Sequence, residues 1–368
     1  MEEVRVITFG TRQVFHMDTK KKWKVRVVGG RILKTGIAVF LTALICRLFG
    51  MLEAFAVITA IVTLEPTAAA SIRKGVQRLP ASIIGAALAM GFTYFFDISP
   101  LTYTLSALST IYICTRLKLT DGTLVATLTA VAMIPVSEGH LFYSFLERVG
   151  TTTIGLSVST LVNFIILPPH FSHLIAARNE RLFKEVAEVF RIRMQAFLYE
   201  DADIKTGEQQ YKKLEKEMER SIQLSYYQKD ELRYHRRSSK EKRFFTFEQR
   251  QLHILERIIY HLHQLFTMKP NADTFTPREE GLVKEAVQSI AFILADPDHR
   301  IPEEHWDVIE KIDDQFWQKR ESASHPAAIS HHHRFSDDVI LLFTILYIND
   351  ELEELEHLHL HETDNQEK

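Results

Sequence analysis

Cysteine is scarce in this chain: two residues in 368, Cys46 and Cys114, each inside an apolar segment. So few rule out a disulfide framework, and a thiol in such a setting acts as a small hydrophobe. Charge is scarce too, but only locally. From Arg31 to Pro169 the chain runs through long apolar stretches with almost no ionisable residue inside them. A phosphate-cradling glycine loop, a nucleophile elbow and a zincin motif are all missing. Enzyme chemistry is left without support, so the chain reads as a non-enzyme with no cofactor.

What is present divides into two unlike halves. Met1–His170 carries 16 Lys+Arg against 9 Asp+Glu, about +7, and the remainder about −10. A basic, apolar front and an acidic, charged back predict a membrane domain followed by a water-soluble one. The boundaries drawn are 1–30 for a basic, partly disordered extension, 31–170 for six transmembrane helices and 171–368 for a cytoplasmic helical domain. Met17 reads as an equally sensible first residue.

The front half carries an internal repeat. RLPASIIG from Arg78 recurs as RVGTTTIG from Arg148, an offset of 70 residues. ICRL at Ile45 is echoed by ICTRL at Ile113, and Pro66 by Pro135. Spans are expected over 32–48, 52–70, 79–97, 99–115, 121–137 and 148–168. Some are slightly short for a bilayer core of about 30 Å, which packing or local thinning absorbs. Three helices per unit invert the second copy, an architecture common among secondary transporters. The predicted fold class is therefore all-α: two inverted three-helix repeats in the membrane, then a cytoplasmic helical bundle.

Basic residues set the orientation. Lys20–Lys22, Lys24 and Arg26 precede span one, Arg73, Lys74 and Arg78 lie between spans two and three, and Arg116 and Lys118 between four and five. Both termini are thus expected in the cytoplasm. Ala81, Gly85 and Ala89 recur as Thr151, Gly155 and Ser159, a small residue every fourth position; Gly85 and Gly155 are read as helix-packing positions.

RILKTGIAVFLTALIC from Arg31, AFAVITAIVTLEPT from Ala54 and SIRKGVQRLPASIIGA from Ser71 resemble the aromatic acid exporter family, its Gram-positive branch with a C-terminal helical domain. The order and spacing of these segments carry the resemblance. It implies efflux of aromatic carboxylates, since better-studied relatives export hydroxybenzoates and fusaric acid. Many relatives have two six-span sets, so the single set here implies a homodimer. Membrane lipid and a small organic anion are the other partners expected.

After Pro168–Pro169, helices are expected near 171–200, 204–237, 246–268, 277–295, 302–320 and 336–358. Thr276-Pro277-Arg278-Glu279 is a capping box with proline at the first helical position. Tyr211, Leu214, Met218 and Ile222 form one stripe of a helix. VILLFTILYI from Val339 is too short to span a bilayer and reads as a core helix. His331–His333 and His357, His359 and His361 lack the ligand spacing of a closed zinc site, so no metal is expected. The basic run RYHRRSSKEKR from Arg233 is read as a solvated inter-helix loop, with acidic lipid headgroups as the competing reading. Nucleic acid is not expected, because the domain is net acidic and carries no recognition motif.

Glu65 stands out among the front-half carboxylates because long apolar runs bracket it. An ionisable residue at such depth is a functional candidate, here a proton carrier beside the helix-breaking Pro66. Pro135 would break span five in the matching place. Thr59, Thr63 and Thr67, four apart, would line one face, and Arg78 and Arg148 complete the substrate and coupling candidates. The competing reading puts Glu65 at a helix end, paired with Arg73 or Arg78. Energy-coupled efflux of small aromatic or amphipathic carboxylates is the leading function; a membrane-anchored sensor or scaffold is the alternative.

Overall fold

The computed structural model describes residues 30–136, 141–166, 171–199, 204–234, 238–269, 274–323 and 335–366. Twelve α-helices and no strand occur among them. The first six are α1 (Gly30–Leu48), α2 (Glu53–Thr63), α3 (Ala68–Phe96), α4 (Pro100–Arg116), α5 (Thr120–Met133) and α6 (Leu141–Ile165), with a 3-10 turn at Ile134–Val136. The last six are α7 (Ser172–Leu198), α8 (Ile204–Tyr234), α9 (Ser239–Thr267), α10 (Pro277–Ala295), α11 (Glu303–Ala323) and α12 (Asp337–Gln366).

The first six helices are small and polar inside, large and apolar outside. α1 buries Lys34, Ala38, Thr42 and Cys46, and α4 buries Thr102, Ser106, Thr110 and Cys114. Phe40, Leu44, Ile58, Leu108, Leu124 and Leu161 are exposed. Small buried residues let helix backbones approach, as in lipid, where burying Leu gains nothing. α7–α12 follow the opposite rule: Phe183, Phe190, Leu255 and Ile258 fill one continuous core. A soluble bundle needs that arrangement.

Packing within α1–α6 repeats. α1 lies on α2 and α6, as α4 lies on α5 and α3; α2 crosses α6 as α5 crosses α3, and α3 meets α6. Gly155 faces the Ala56 carbonyl and Gly85 the Ala126 carbonyl, two crossings whose partners are each 70 residues apart. A Cβ on Gly85 would lie 2.3 Å from that oxygen, and one on Gly155 2.5 Å. No residue but glycine fits either crossing unmoved.

Several expected boundaries shift. The continuous span over 52–70 is instead α2, an extended link and the start of α3. Pro66 has no N–H to continue a helix and disfavours helical backbone at Glu65 before it. The basic stretch from Ser71 to Arg78, read as a loop, is helical and makes α3 29 residues long. Lys74 and Arg78 pair with Glu65, and Arg73 is exposed. Among the described residues α3 alone is both long and apolar enough to cross a membrane by itself. Pro135 lies in the 3-10 turn after α5, not within a span. Lys240–Arg243 of the basic run belong to the first turns of α9, capped by Ser238, whose hydroxyl accepts the Glu241 N–H at 3.2 Å. α12 runs on through His357, His359 and His361. Met17, Pro168–Pro169 and His331–His333 lie outside the described residues.

Candidate functional site

Two polar centres sit in the α1–α6 group, joined by a line of hydroxyls. The first is the break itself. Leu64 and Thr67 are extended, and the Thr67 hydroxyl caps α3 by accepting the Ala70 N–H at 3.1 Å. Thr67 is thus an N-cap rather than a third member of a Thr59–Thr63 face, because the helix stops before it. Thr63 donates to or accepts from Ser159 of α6 at 2.6 Å, and Thr59 bonds back to the Phe55 carbonyl.

Glu65 points along α3. It accepts from Arg78 Nη2 at 2.6 Å and from Lys74 Nζ at 3.1 Å. Of the two arginines suggested from sequence, the structure brings Arg78 to it and not Arg73. Arg78 also donates through Nε to the Asp121 carbonyl at 3.3 Å, tying the break to the start of α5.

Asn163, fully buried on α6, organises the break from the other side. Its Nδ2 lies 2.9 Å from the Glu65 carbonyl, 3.0 Å from that of Thr67 and 2.8 Å from Ser71 Oγ. Its Oδ1 accepts from Lys34 Nζ of α1 at 2.9 Å. A further carboxylate arrives from the C-terminal half. Glu231 of α8, 1% exposed, accepts the Ala68 N–H at 2.7 Å, at the positive end of α3. Sequence reading missed all three. An amide inside LVNFII was the available signal for Asn163, whereas nothing local marks Glu231.

The second centre is Arg148 on α6, 7% exposed. Its guanidinium lies 4.1 Å from the centroid of Phe55 and donates through Nη2 to Thr129 Oγ1 at 2.8 Å. Nε and Nη1 find no hydrogen-bond partner among the described residues. Here the repeat is broken: the position 70 residues after Glu65 is Pro135. A small void of about 20 Å³ beside the guanidinium is lined by Phe55, Met133, Ser144 and Glu147. Thr129 also meets Ser82 at 3.1 Å, and Ser82 approaches Thr152 at 3.5 Å. Ser82 is one turn from Arg78, so hydroxyls bridge most of the way between the two arginines.

The arrangement provides two buried cations at repeat-related positions, one neutralised by a carboxylate and one by none among the described residues. Such a guanidinium over an aromatic ring is suited to a planar organic anion.

Comparison with known proteins places these features. The model of aromatic acid exporter family member 1 matches residues 26–166, the segment holding both arginines. A UPF0421 protein of Bacillus cereus is 43% identical over 342 residues, 93% of this chain and 96% of that one. Another, from Halalkalibacterium halodurans, is 39% identical over 296 residues, 80% and 82% of the two chains. A third, from Staphylococcus haemolyticus, is 43% identical over 276 residues, 74% and 84%. Alike to these relatives over most of its length, and to the exporter model across its apolar half, the chain belongs to the aromatic acid exporter family.

Proposed function

We propose that the protein exports small aromatic or amphipathic carboxylates across the bacterial cell membrane. The observation that carries this reading is Arg148: a buried guanidinium on an aromatic ring, with N–H groups left over among the described residues. Burying an unpaired charge costs several kcal/mol, about 3–5 when a partner is lost, and an anionic ligand offsets that cost. The void beside Arg148 has room for about one water, so in this reading a benzoate-like cargo takes the free edge of Arg148, next to Phe55, once the surrounding helices part.

α1–α6 act in this reading as six spans forming two inverted repeats, both termini cytoplasmic. The lipid-facing exterior of large apolar residues and the repeat-related crossings support it. α2 and α5 are short, roughly 17 and 21 Å at 1.5 Å per residue, and each ends at a proline-bearing break. Discontinuous helices at a repeat interface are where secondary transporters bind cargo. Glu65 couples the cycle: a proton on its carboxyl releases Arg78, which then takes the cargo carboxylate. A homodimer supplies two such sets.

Uptake of radiolabelled hydroxybenzoate into inverted membrane vesicles tests the proposal. Wild-type protein should accumulate it under a proton gradient, and Glu65→Gln should abolish accumulation. Arg148→Gln should abolish uptake, with partial activity in Arg148→Lys. Wild-type uptake in Arg148→Gln, at equal expression, overturns the role given to that residue.

A further inference from the structure

The C-terminal helices enclose a second feature that transport does not use. α11 and α12 diverge to leave a cavity of about 1210 Å³, closed at one end by the last turn of α9. Its walls are aromatic. Phe316 and Phe343 approach with centroids 6.4 Å apart, Phe343 and Tyr347 6.2 Å, and Tyr347 is fixed by stacking on His261 at 3.5 Å. Trp306 and Trp317 also line it, and both, like Phe335 and Phe343 of the same lining, stay more than two-fifths exposed. Exposed indoles around a concave surface are a costly arrangement unless something covers them.

Charge says what kind of molecule covers them. Glu310 and Asp313 of α11 and Asp350 and Glu353 of α12 line the same cavity. Asp350 is held above the usual carboxylate range by burial and by the neighbouring charges of Glu353, Glu351 and Asp313. The nearby cations are committed elsewhere. Arg257 pairs with Glu351 and Glu354 on another face of α12, and Lys319 with Glu279 and Asp338. Arg320 is the one basic residue in the lining and lies over Trp317. It is two turns of α11 from Asp313, about 10 Å. Neither Glu310 nor Asp350 pairs with a basic group among the described residues. The carboxylates sit among the aromatic rings: on α11 Glu310 and Asp313 fall between Trp306 and Phe316, and Asp313 accepts from Trp317 Nε1 at 3.1 Å.

We propose that the α11–α12 cavity binds an amphipathic organic cation, its rings against Trp306, Phe316, Trp317, Phe343 and Tyr347 and its positive charge at Asp313, Asp350 and Glu353. Aromatic faces attract such cations through their quadrupoles, and the carboxylates add Coulombic selectivity over neutral or anionic analogues. The volume admits a ligand with several rings. The inference rests on this cavity alone and stands whether or not the membrane helices transport carboxylates.

Two of the chain's three tryptophans line the site, so intrinsic fluorescence reads occupancy directly. Full-length protein in nanodiscs is titrated with tetraphenylphosphonium and with tetraphenylborate, ions of one shape and opposite charge. The phosphonium should quench saturably and the borate should not. Asp313→Asn/Asp350→Asn should weaken phosphonium binding at least tenfold, about 1.4 kcal/mol. If that double variant loses helical ellipticity, Asp350→Asn alone carries the test, with about a threefold loss. Equal saturable quenching by both ions, wild-type affinity in the folded variant, or no saturable quenching at all overturns the proposal.

Discussion

Gly85→Ala and Gly155→Ala are single-methyl substitutions with a sharply defined penalty. At Gly85 the new carbon would sit 2.3 Å from the Ala126 carbonyl oxygen and 3.0 Å from its carbon; at Gly155, 2.5 Å from the Ala56 oxygen and 3.0 Å from Thr59 Cβ. The obstacles are mainly backbone, so helices must separate by about 1 Å before either carbon reaches van der Waals contact. Overpacking of this kind costs about 1–3 kcal/mol, a factor of roughly 5 to 150 in the open population. The two native cysteines report it without engineering. Cys114 is buried with Ala81 and Ala126 beside the Gly85 crossing, and Cys46 is buried on α1. With detergent-solubilised protein and a fluorescent maleimide in excess, Gly85→Ala should speed labelling of Cys114 by at least fivefold. Gly155→Ala should act first on Cys46, because α1 packs against α6. Labelling of both cysteines within twofold of wild type in both variants would show that the crossings are looser than their geometry, and would remove packing support for the repeat.

Glu65→Gln leaves Arg78, side chain 9% exposed, without its carboxylate, at a cost of about 3 kcal/mol. Glu65→Gln/Arg78→Gln should regain at least half of that, and a non-recovering double variant in the same labelling assay would show that the pair is incidental. Glu231→Ala removes the acceptor of the Ala68 N–H, so hydrogen exchange at that amide should rise about tenfold; unchanged exchange would mean that α8 does not hold the α3 terminus. Burial lifts the Glu248 carboxyl to about 7, against the amide of Asn179, so the folded state takes up a proton that the unfolded chain has released above about pH 4.5. Stability should therefore fall as pH rises from about 4.5 to 7 and level off above, by at most about 3 kcal/mol. Glu248→Gln should flatten that part of the thermal-midpoint profile, and an unaltered slope would assign the dependence to other groups.

The C-terminal helices were legible because each carries its own punctuation and stripe. Thr276 and Glu279 form the capping box their spacing predicts, with the Glu279 carboxylate accepting the Thr276 N–H at 2.8 Å. Tyr211, Leu214 and Met218 are buried as one face, and Leu341, Leu342, Ile345 and Ile348 lie in the core. The α2–α3 break was not legible at the residue level, since apolar residues continue through Leu64 and resume at Ala68. Pro66 announced a break, but where it fell, and that α3 would begin at once, depended on Asn163 and Glu231. Those partners lie 98 and 163 residues from the backbone they hold. Hydropathy misread Arg73–Arg78 as a loop because it scores each charge as needing water, and Glu65 meets that need for two of them.

A repeat is visible in sequence as a period, yet the period draws the eye to what the two copies share. Arg78 and Arg148 match, as do the glycine crossings, and from those positions alone the halves would be equivalent. One difference that a pattern search discards is the carboxylate: Glu65 falls on Pro135 at an offset of 70 residues and on Ile134 if the two prolines are matched, and neither carries a charge. One arginine is thereby neutralised inside the fold, while the other keeps hydrogen-bonding capacity unused among the described residues. Two identical, permanently neutralised cations would give an anion no reason to move from one to the other. In the proposed cycle, a pair of which only one is paired with a carboxylate, linked by Ser82 and Thr129, would give the cargo a direction, and protonation of Glu65 would reverse it.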